Sequence, residues 1–319
     1  MIPYILRRTP SALVTLLLAS VLVFVLVRLV PGDPVDTLAG ADASPETRAA
    51  IRDQLGLDGS PVAQYFQWLG ALLSGDLGTS YLVGGSIADL VGAGALNTLV
   101  LAGSALLLAV VAALVTGVAS VLSRSRLLDA VVSAVNTLAV ALPPFVTGVV
   151  LVVTFAVAWP LLPAGGVPPD GFLGRPGITA QYLALPALCL ALPAASVLTR
   201  FLTEALRTEL RQPYVTTARA LGISRRRIVL TQVLPNALPA TVTVLGLQVG
   251  GLLGGAVLVE LIFAWPGLGM LVEQAISTRD YPLVQVLLLL SVAVFIVVQV
   301  VTDVAHAWLD PRVRWGGAA

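Results

Sequence analysis

Residues Thr203–Pro239 read TEALRTELRQPYVTTARALGISRRRIVLTQVLPNALP, an Arg-rich interruption between two long apolar runs. A membrane-embedded chain meets its aqueous partners through such segments, and no other segment here carries as much positive charge. Helical spacing puts Tyr214, Ala218 and Leu221 at i, i+4 and i+7, one sticky face on a charged helix. Gly222 then breaks the helix, and Arg225, Arg226 and Arg227 follow on the next turn. Pro235 opens the next apolar run, where its missing N–H is harmless in a first turn. On these residues alone, a basic loop touching anionic lipid explains the segment as well as a protein-docking element does.

The surrounding composition decides the class. The chain has 319 residues, is 57% hydrophobic and only 11% charged, with a mean hydropathy of +0.95. Soluble globular chains carry about 25% charged residues, so the expected fold is an all-α polytopic membrane protein. The net charge of +1 gives no reason to expect a nucleic-acid partner. Every basic residue is Arg; there is no Lys. One Cys, Cys189 in an apolar run, and one His, His306, exclude a disulfide framework and a Cys- or His-based metal cluster.

Six spans are expected. The first, about Ser11 to Val30, follows Arg7 and Arg8 and has the roughly 20 residues a bilayer crossing needs. It is expected to be retained rather than cleaved, giving a first unit over 1–30. Residues 31–94 are polar and acidic, with eight Asp and Glu against Arg48 and Arg52. They are expected to form an extracytoplasmic segment containing a helix from Pro45 to Leu55 capped by Ser44. An amphipathic helix from Val62 to Leu73 should follow, its Tyr65 and Trp68 suited to the membrane interface. Residues 95–319 form the core with five further spans. The second span is about Ala95 to Leu122. The third, Leu127 to Leu162, is interrupted by Pro143-Pro144 and is expected to be one kinked crossing, because each half is too short to cross alone. The fourth is Gln181 to Phe201 with Pro186 and Pro193 inside it, the fifth Ala237 to Phe263, and the sixth Leu283 to Leu309. Glycines 246, 250, 251, 254 and 255 in the fifth are expected to let helices pack closely. The pieces 159–180 and 264–282 are expected to be outer loops. With both termini inside, thirteen of the eighteen arginines fall on the cytosolic side, which obeys the positive-inside rule. The charged stretch, about 203–235, is then cytosolic.

Chemistry is conspicuously missing. A phosphate-binding Walker loop requires a Lys, and no nucleophile elbow or zinc-protease helix occurs. No catalytic residue, metal site or cofactor bound by this chain is expected. Two acids fall within spans. Asp303, with His306 one turn on, suits snorkelling or a subunit contact better than a proton relay; Glu260 suits an interface or gate. An ion-coupled secondary carrier would show more midplane charge or paired broken helices. Asn97, Asn136, Thr137, Gln248 and Glu260 are the polar span residues that could line a pathway, or equally bond neighbouring helices.

Thr216-Thr217-Ala218-Arg219-Ala220-Leu221-Gly222, nine further residues, then Gln232-Val233-Leu234-Pro235, resembles the cytosolic Glu-Ala-Ala loop of ATP-binding-cassette importer permeases. The spacing, Ala218, Gly222, Leu234 and Pro235 are kept; Thr216, Thr217 and Gln232 depart from it. The departures resemble the peptide/nickel branch, as do Pro31-Gly32-Asp33-Pro34, Gly75 to Ser80, Leu96 to Leu99, Val259-Glu260, Trp265 to Gly269, Arg279 to Pro282 and Leu309 to Arg312. The ordered set covers essentially the whole chain, and the long segment after the first span resembles the B-type subunit of dipeptide and oligopeptide importers. The resemblance implies a type I importer permease in the cytoplasmic membrane of a bacterium. It would pair with a homologous second permease, two ATPase subunits that hold ATP and Mg, and an extracytoplasmic substrate-binding protein. Arg211, Tyr214, Thr217, Ala218, Arg219, Ala220, Leu221, Gly222 and Arg225 are the expected ATPase-docking residues. Cargo would be di- or oligopeptides, with nickel, glutathione or an opine as alternatives.

Overall fold

A computed structural model describes residues 2–29, 35, 39, 43–54, 59–123, 125–172 and 174–309, excepting the side chains of 2–9, 51, 54 and 302–309. The Pro31–Pro34 and 310–312 motif residues, Arg124 and Arg314, and the side chains of Arg7, Arg8, Asp303 and His306, lie outside the described residues. Those described are almost wholly helical: α1 Ile2–Leu29, α2 Pro45–Gln54, α3 Pro61–Leu73, α4 Ile87–Leu122, α5 Arg126–Ala141 and α6 Pro144–Val152. After these come α7 Pro176–Glu209, α8 Pro213–Ala220, α9 Arg225–Ile228, α10 Leu234–Ile262, α11 Leu268–Thr278 and α12 Tyr281–Leu309. Among the described residues five helices are long and apolar enough to cross a membrane, and the α5–α6 pair, bent by 110°, supplies a sixth crossing if counted as one. Contacts divide the chain into two units, Met1–Asn97 with Gly267–Val297 and Thr98–Pro266 with Val298–Ala319.

In the first unit, the expected short helices form. Ser44 Oγ accepts the Thr47 N–H at 3.2 Å at the start of α2, and Ser60 caps α3 through the Ala63 N–H. Tyr65 and Trp68 of α3 pack around Phe24 of α1, and the Tyr65 hydroxyl is 2.9 Å from Ser20 Oγ. The rest of α1 leaves Leu18, Leu22 and Leu29 exposed, as befits a helix that meets lipid. α4 begins at Ile87, eight residues before the expected start, because Ile87 and Val91 are buried with Leu271, Leu283 and Leu287. The segment expected as a bare outer loop contains α11, whose Leu271 and Ala275 fill that cluster. Asp280 is fully buried and ties the unit together. Its Oδ2 accepts the Ser80 hydroxyl at 2.5 Å and the Leu82 and Val83 N–H groups at 2.9 and 3.3 Å.

In the second unit, α4, α7 and α10 pack around Leu101, Ala105, Leu185, Leu190, Leu198 and Val259. Pro186 and Pro193 lie within an unbroken 34-residue α7. The expected close packing is seen at Gly255, where a Cβ would lie 3.1 Å from Leu190, while a Cβ at Gly250, Gly251 or Gly254 would meet open space within this chain. Gly165 is the tight position, since a Cβ there would overlap the Phe263 carbonyl, and the next N–H, of Gly166, bonds that carbonyl at 2.8 Å.

The Pro143-Pro144 interruption is not a mild kink. α5 runs antiparallel to α7, with Asp129 beside Arg207 at 3.8 Å near one end and the Pro144 carbonyl accepting from Cys189 Sγ at 3.4 Å near the other. The stretch of α7 from Cys189 to Arg207 is about 27 Å long at ~1.5 Å per residue, so α5 alone covers most of a hydrocarbon core of about 30 Å. Beyond Pro144, whose ring cannot continue an α-helical ladder, α6 turns off by 110° and packs Gly148 on Ile262 near the far end of α10. The pair therefore enters at one end of the unit and leaves at the other.

Candidate functional site

The charged stretch is built as two short helices on a shared apolar floor. α8 starts at Pro213, where a missing N–H is tolerated, and ends in a Schellman turn: the Gly222 N–H bonds Arg219 O at 3.0 Å and the Ile223 N–H bonds Ala218 O at 3.1 Å. That turn requires a left-handed residue, and Gly222 has φ 75°. Ile223 then packs back on the cluster that holds Ala218, completing the motif's hydrophobic contact. α9 carries Arg225, Arg226 and Arg227 outward and Ile228 inward. The chain enters α10 through a π turn at Val229–Val233, ahead of Pro235 and Pro239, which cannot donate to the preceding carbonyls.

The expected stripe of Tyr214, Ala218 and Leu221 is split. Val215 and Ala218 are buried in a cluster with Val121 of α4, Leu202 and Leu206 of α7, and Ile228, Val229 and Val233. Ala218 thus faces the chain's own core, because 100° per residue brings it under Val215 (i, i+3). Tyr214 is half-buried, and its hydroxyl donates to Glu209 Oε2 at 2.7 Å at the end of α7. Partial burial most of all, and then Glu209, raise its pKa; a hydrogen bond from Asn236 opposes them. Arg225 is likewise engaged, its Nη2 donating to Val121 O at 2.8 Å, the terminal turn of α4. Left facing outward are Arg211, Thr217, Arg219, Ala220, Leu221 and Gly222. Leu221 is 75% exposed, a large apolar side chain at the tip of the turn.

The pathway candidates separate as clearly. Glu260 is fully buried, and its Oε1 accepts the Thr98 hydroxyl at 2.6 Å, so it bonds a neighbouring helix. Asn97 lies on α4 in the first unit and Gln248 is half-buried on α10; neither is on the main groove. Asn136 and Thr137 are. They line a groove of about 820 Å³ between α5 and the C-terminal third of α7. Asp129, Ser133, Arg200, Glu204 and Arg207 line it too. Sequence reasoning used these arginines only for orientation, although polar residues recurring every three or four positions on α5 and α7 were there to be read.

Several apolar helices long enough to cross a membrane, an exposed apolar tip on a glycine turn and a polar groove suit a membrane transport permease. The family described as binding-protein-dependent transport system inner membrane component matches residues 105–315, and its N-terminal membrane component matches 1–86. The chain belongs to this family. It is 36% identical to a glutathione transport system permease protein, GsiC, of Salmonella choleraesuis, covering 99% of this chain and all of that one. A putative peptide permease protein of Brucella suis is also 36% identical, over 98% of this chain and 99% of its own length. Among solved structures, an inward-facing MetNI methionine ABC transporter matches with a TM-score of 0.54 and 21% identity, over 69% of this chain and 96% of that one. An amino acid ABC transporter solved with histidines matches at 0.53 and 14% identity, over 69% and 94%. These two likenesses establish the permease fold.

Proposed function

We propose that this chain is the membrane-spanning subunit of an ATP-driven importer that carries short peptides, glutathione among them, across a bacterial cytoplasmic membrane. The relatives' names support the cargo class, and their full-length match supports the same division of labour. ATP and Mg belong to two separate ATPase subunits, a homologous permease completes the channel, and an extracytoplasmic binding protein delivers cargo. Arg207, held beside Asp129, and Arg225, bonded to Val121 O, stand with Arg126, Arg226 and Arg227 on neighbouring helix ends of the second unit, which fits a cytosolic end with both termini inside.

The observation that carries the reading is Leu221, an exposed apolar tip that the chain's own turn holds out while Val215 and Ala218 anchor it from behind. Solvent-exposed leucine at a fixed turn among arginines suits a complementary groove on another protein. Arg211, Thr217, Arg219 and Ala220 form the rim of that contact. Leu221→Asp should leave membrane insertion and thermal stability intact, since the side chain packs on little of its own chain. It should release the ATPase subunits on purification and abolish ATP-dependent uptake. Full uptake with the ATPases still bound would overturn the docking assignment.

A further inference from the structure

The groove between α5 and α7 carries more than its polar alcohols and amides. On α5, Asp129, Ser133, Asn136 and Thr137 fall at i, i+4, i+7 and i+8; on α7, Arg200, Glu204 and Arg207 fall at i, i+4 and i+7. Both helices therefore turn a polar face into one space, where membrane helices otherwise show apolar ones. The charges are only partly satisfied. Arg207 Nη2 is 3.8 Å from Asp129 Oδ2, longer than a hydrogen bond, and Asp129 Oδ1 is buried with no hydrogen-bond partner. Among the described residues neither Arg200 nor Glu204 is ion-paired. A buried carboxylate oxygen without a donor is costly, and an unpaired guanidinium across the same groove presents the complementary need.

The volume, about 820 Å³, lies within the range of small-molecule sites. Arg200 and Arg207 are separated by about 10 Å along α7, roughly the length of three extended residues. We infer that this groove is a transit site for the carried solute, and that it takes a short zwitterion. The solute's ammonium group meets the half-exposed Asp129 carboxylate beside Arg207, its carboxylate meets Arg200, and Asn136 and Thr137 bond the peptide groups between. A neutral solute would leave both charges unanswered, and a bare cation or anion would answer one. The inference rests on the importer reading and adds to it a site, an orientation and a charge requirement. The charge requirement here is independent of any the binding protein imposes.

The test uses the whole importer, reconstituted with its ATPase subunits, in a Cys189→Ala background carrying Asn136→Cys. Labelling by a membrane-impermeant maleimide applied from the cytosolic side is followed with and without trialanine. Trialanine should slow labelling several-fold, N-acetyl-trialanine amide should not, and adding Arg200→Gln should remove the protection. Equal protection by the blocked peptide would overturn the zwitterion requirement. A cysteine that never reacts would show that another subunit covers the groove, and would overturn the site altogether. Val140→Cys, also on the groove lining, repeats the readout should Asn136→Cys fail to assemble. ATP-dependent trialanine uptake, measured in parallel without the maleimide, separates the two levels. Uptake without protection sinks the groove alone, whereas absence of uptake sinks the peptide-import reading itself.

Discussion

Gly222 is where backbone conformation and docking can be separated by substitution. Its φ of 75° lies in the left-handed region, which costs an L-residue with a Cβ about 1–2 kcal/mol. Asparagine tolerates that region better and a β-branched residue worse. Within this chain a Cβ at Gly222 meets nothing within 4 Å, so the local penalty is conformational and not steric. The two Schellman bonds, at 3.0 and 3.1 Å, and the seat of Ile223 on the apolar floor resist unwinding. A penalty of 1–2 kcal/mol therefore reduces the population of the intact turn by about 5- to 30-fold relative to an alternative ending. ATP-dependent peptide uptake by the reconstituted complex should follow the order Gly, Asn, Ala, Val at position 222. The subunit's own thermal stability should change little, because the turn is peripheral to the large cores. Uptake by Gly222→Val equal to that of the unaltered chain would refute the need for a left-handed turn. Loss with Asn as complete as with Val would refute it differently, by showing that the partner's surface admits no side chain at all.

Three other perturbations address the supports of the two units. Asp280→Ala strands the Leu82 N–H and the Ser80 hydroxyl, while the Val83 N–H keeps Ser80 Oγ at 3.1 Å, at about 1–3 kcal/mol for each buried group left unpaired. Limited proteolysis across residues 76–86 should accelerate strongly, less so for Asp280→Asn, and an unchanged rate would show that the anchor is dispensable. Arg225→Gln removes the bond to Val121 O, worth about 0.5–1 kcal/mol at an exposed helix end. ATPase co-purification should persist while uptake per ATP hydrolysed falls, with Arg225→Lys intermediate; unchanged coupling would make Arg225 a bystander. Tyr214, its pKa raised by partial burial and then by Glu209, binds its proton more tightly folded than unfolded. The stability this confers is fully present below the unfolded tyrosine value of about 10 and is lost as pH rises through the higher folded value. Alkaline titration of phenolate absorbance should show late components removed by Tyr214→Phe and by Tyr81→Phe, whose hydroxyl burial and Asp280 also raise. Early ionisation of Tyr214 would contradict its contact with Glu209.

What could be read from residues alone was governed by periodicity and punctuation. Long apolar runs fixed the crossing helices, and Ser44, Ser60 and Gly222 marked helix ends where capping chemistry is local. Helix starts set by tertiary burial escaped: α4 begins at Ile87 because of Leu271 and Leu283, nearly two hundred residues away. α11 escaped for the same reason, its inward face being only Leu271 and Ala275 against a distant cluster. From residues alone Ala218 is expected on the docking surface, and Glu260 is open between lining a pathway and bonding a neighbouring helix. Both are held inward, Ala218 by a floor assembled from three other helices and Glu260 by Thr98. The groove was half legible: Asn136 and Thr137 stood out as polar residues in a span, whereas Arg200 and Glu204 read as loop charges until α7 proved to extend to Glu209.

Two further helix ends share the turn found at Gly222. After α10, the Trp265 N–H bonds Glu260 O at 2.8 Å with Ala264 at φ 47°; after α11, the Asp280 N–H bonds Ala275 O at 2.8 Å with Arg279 at φ 60°. Each places the next residue, Trp265 or Asp280, in a fully buried seat, so burial of that neighbour offsets the cost of a left-handed non-glycine. At Gly222 the next residue, Ile223, is only half-buried on the floor that Val215 and Ala218 share, so its burial offsets less of that cost. A glycine is therefore required there and not at the other two. The same difference separates a turn that locks a core from one whose outer side is exposed. On α8 those two sides stand back to back across one eight-residue helix, Val215 and Ala218 within and Arg219 and Leu221 without. A load on Leu221 would act, through α8, on the cluster that Val215 and Ala218 share with α4, α7 and α10.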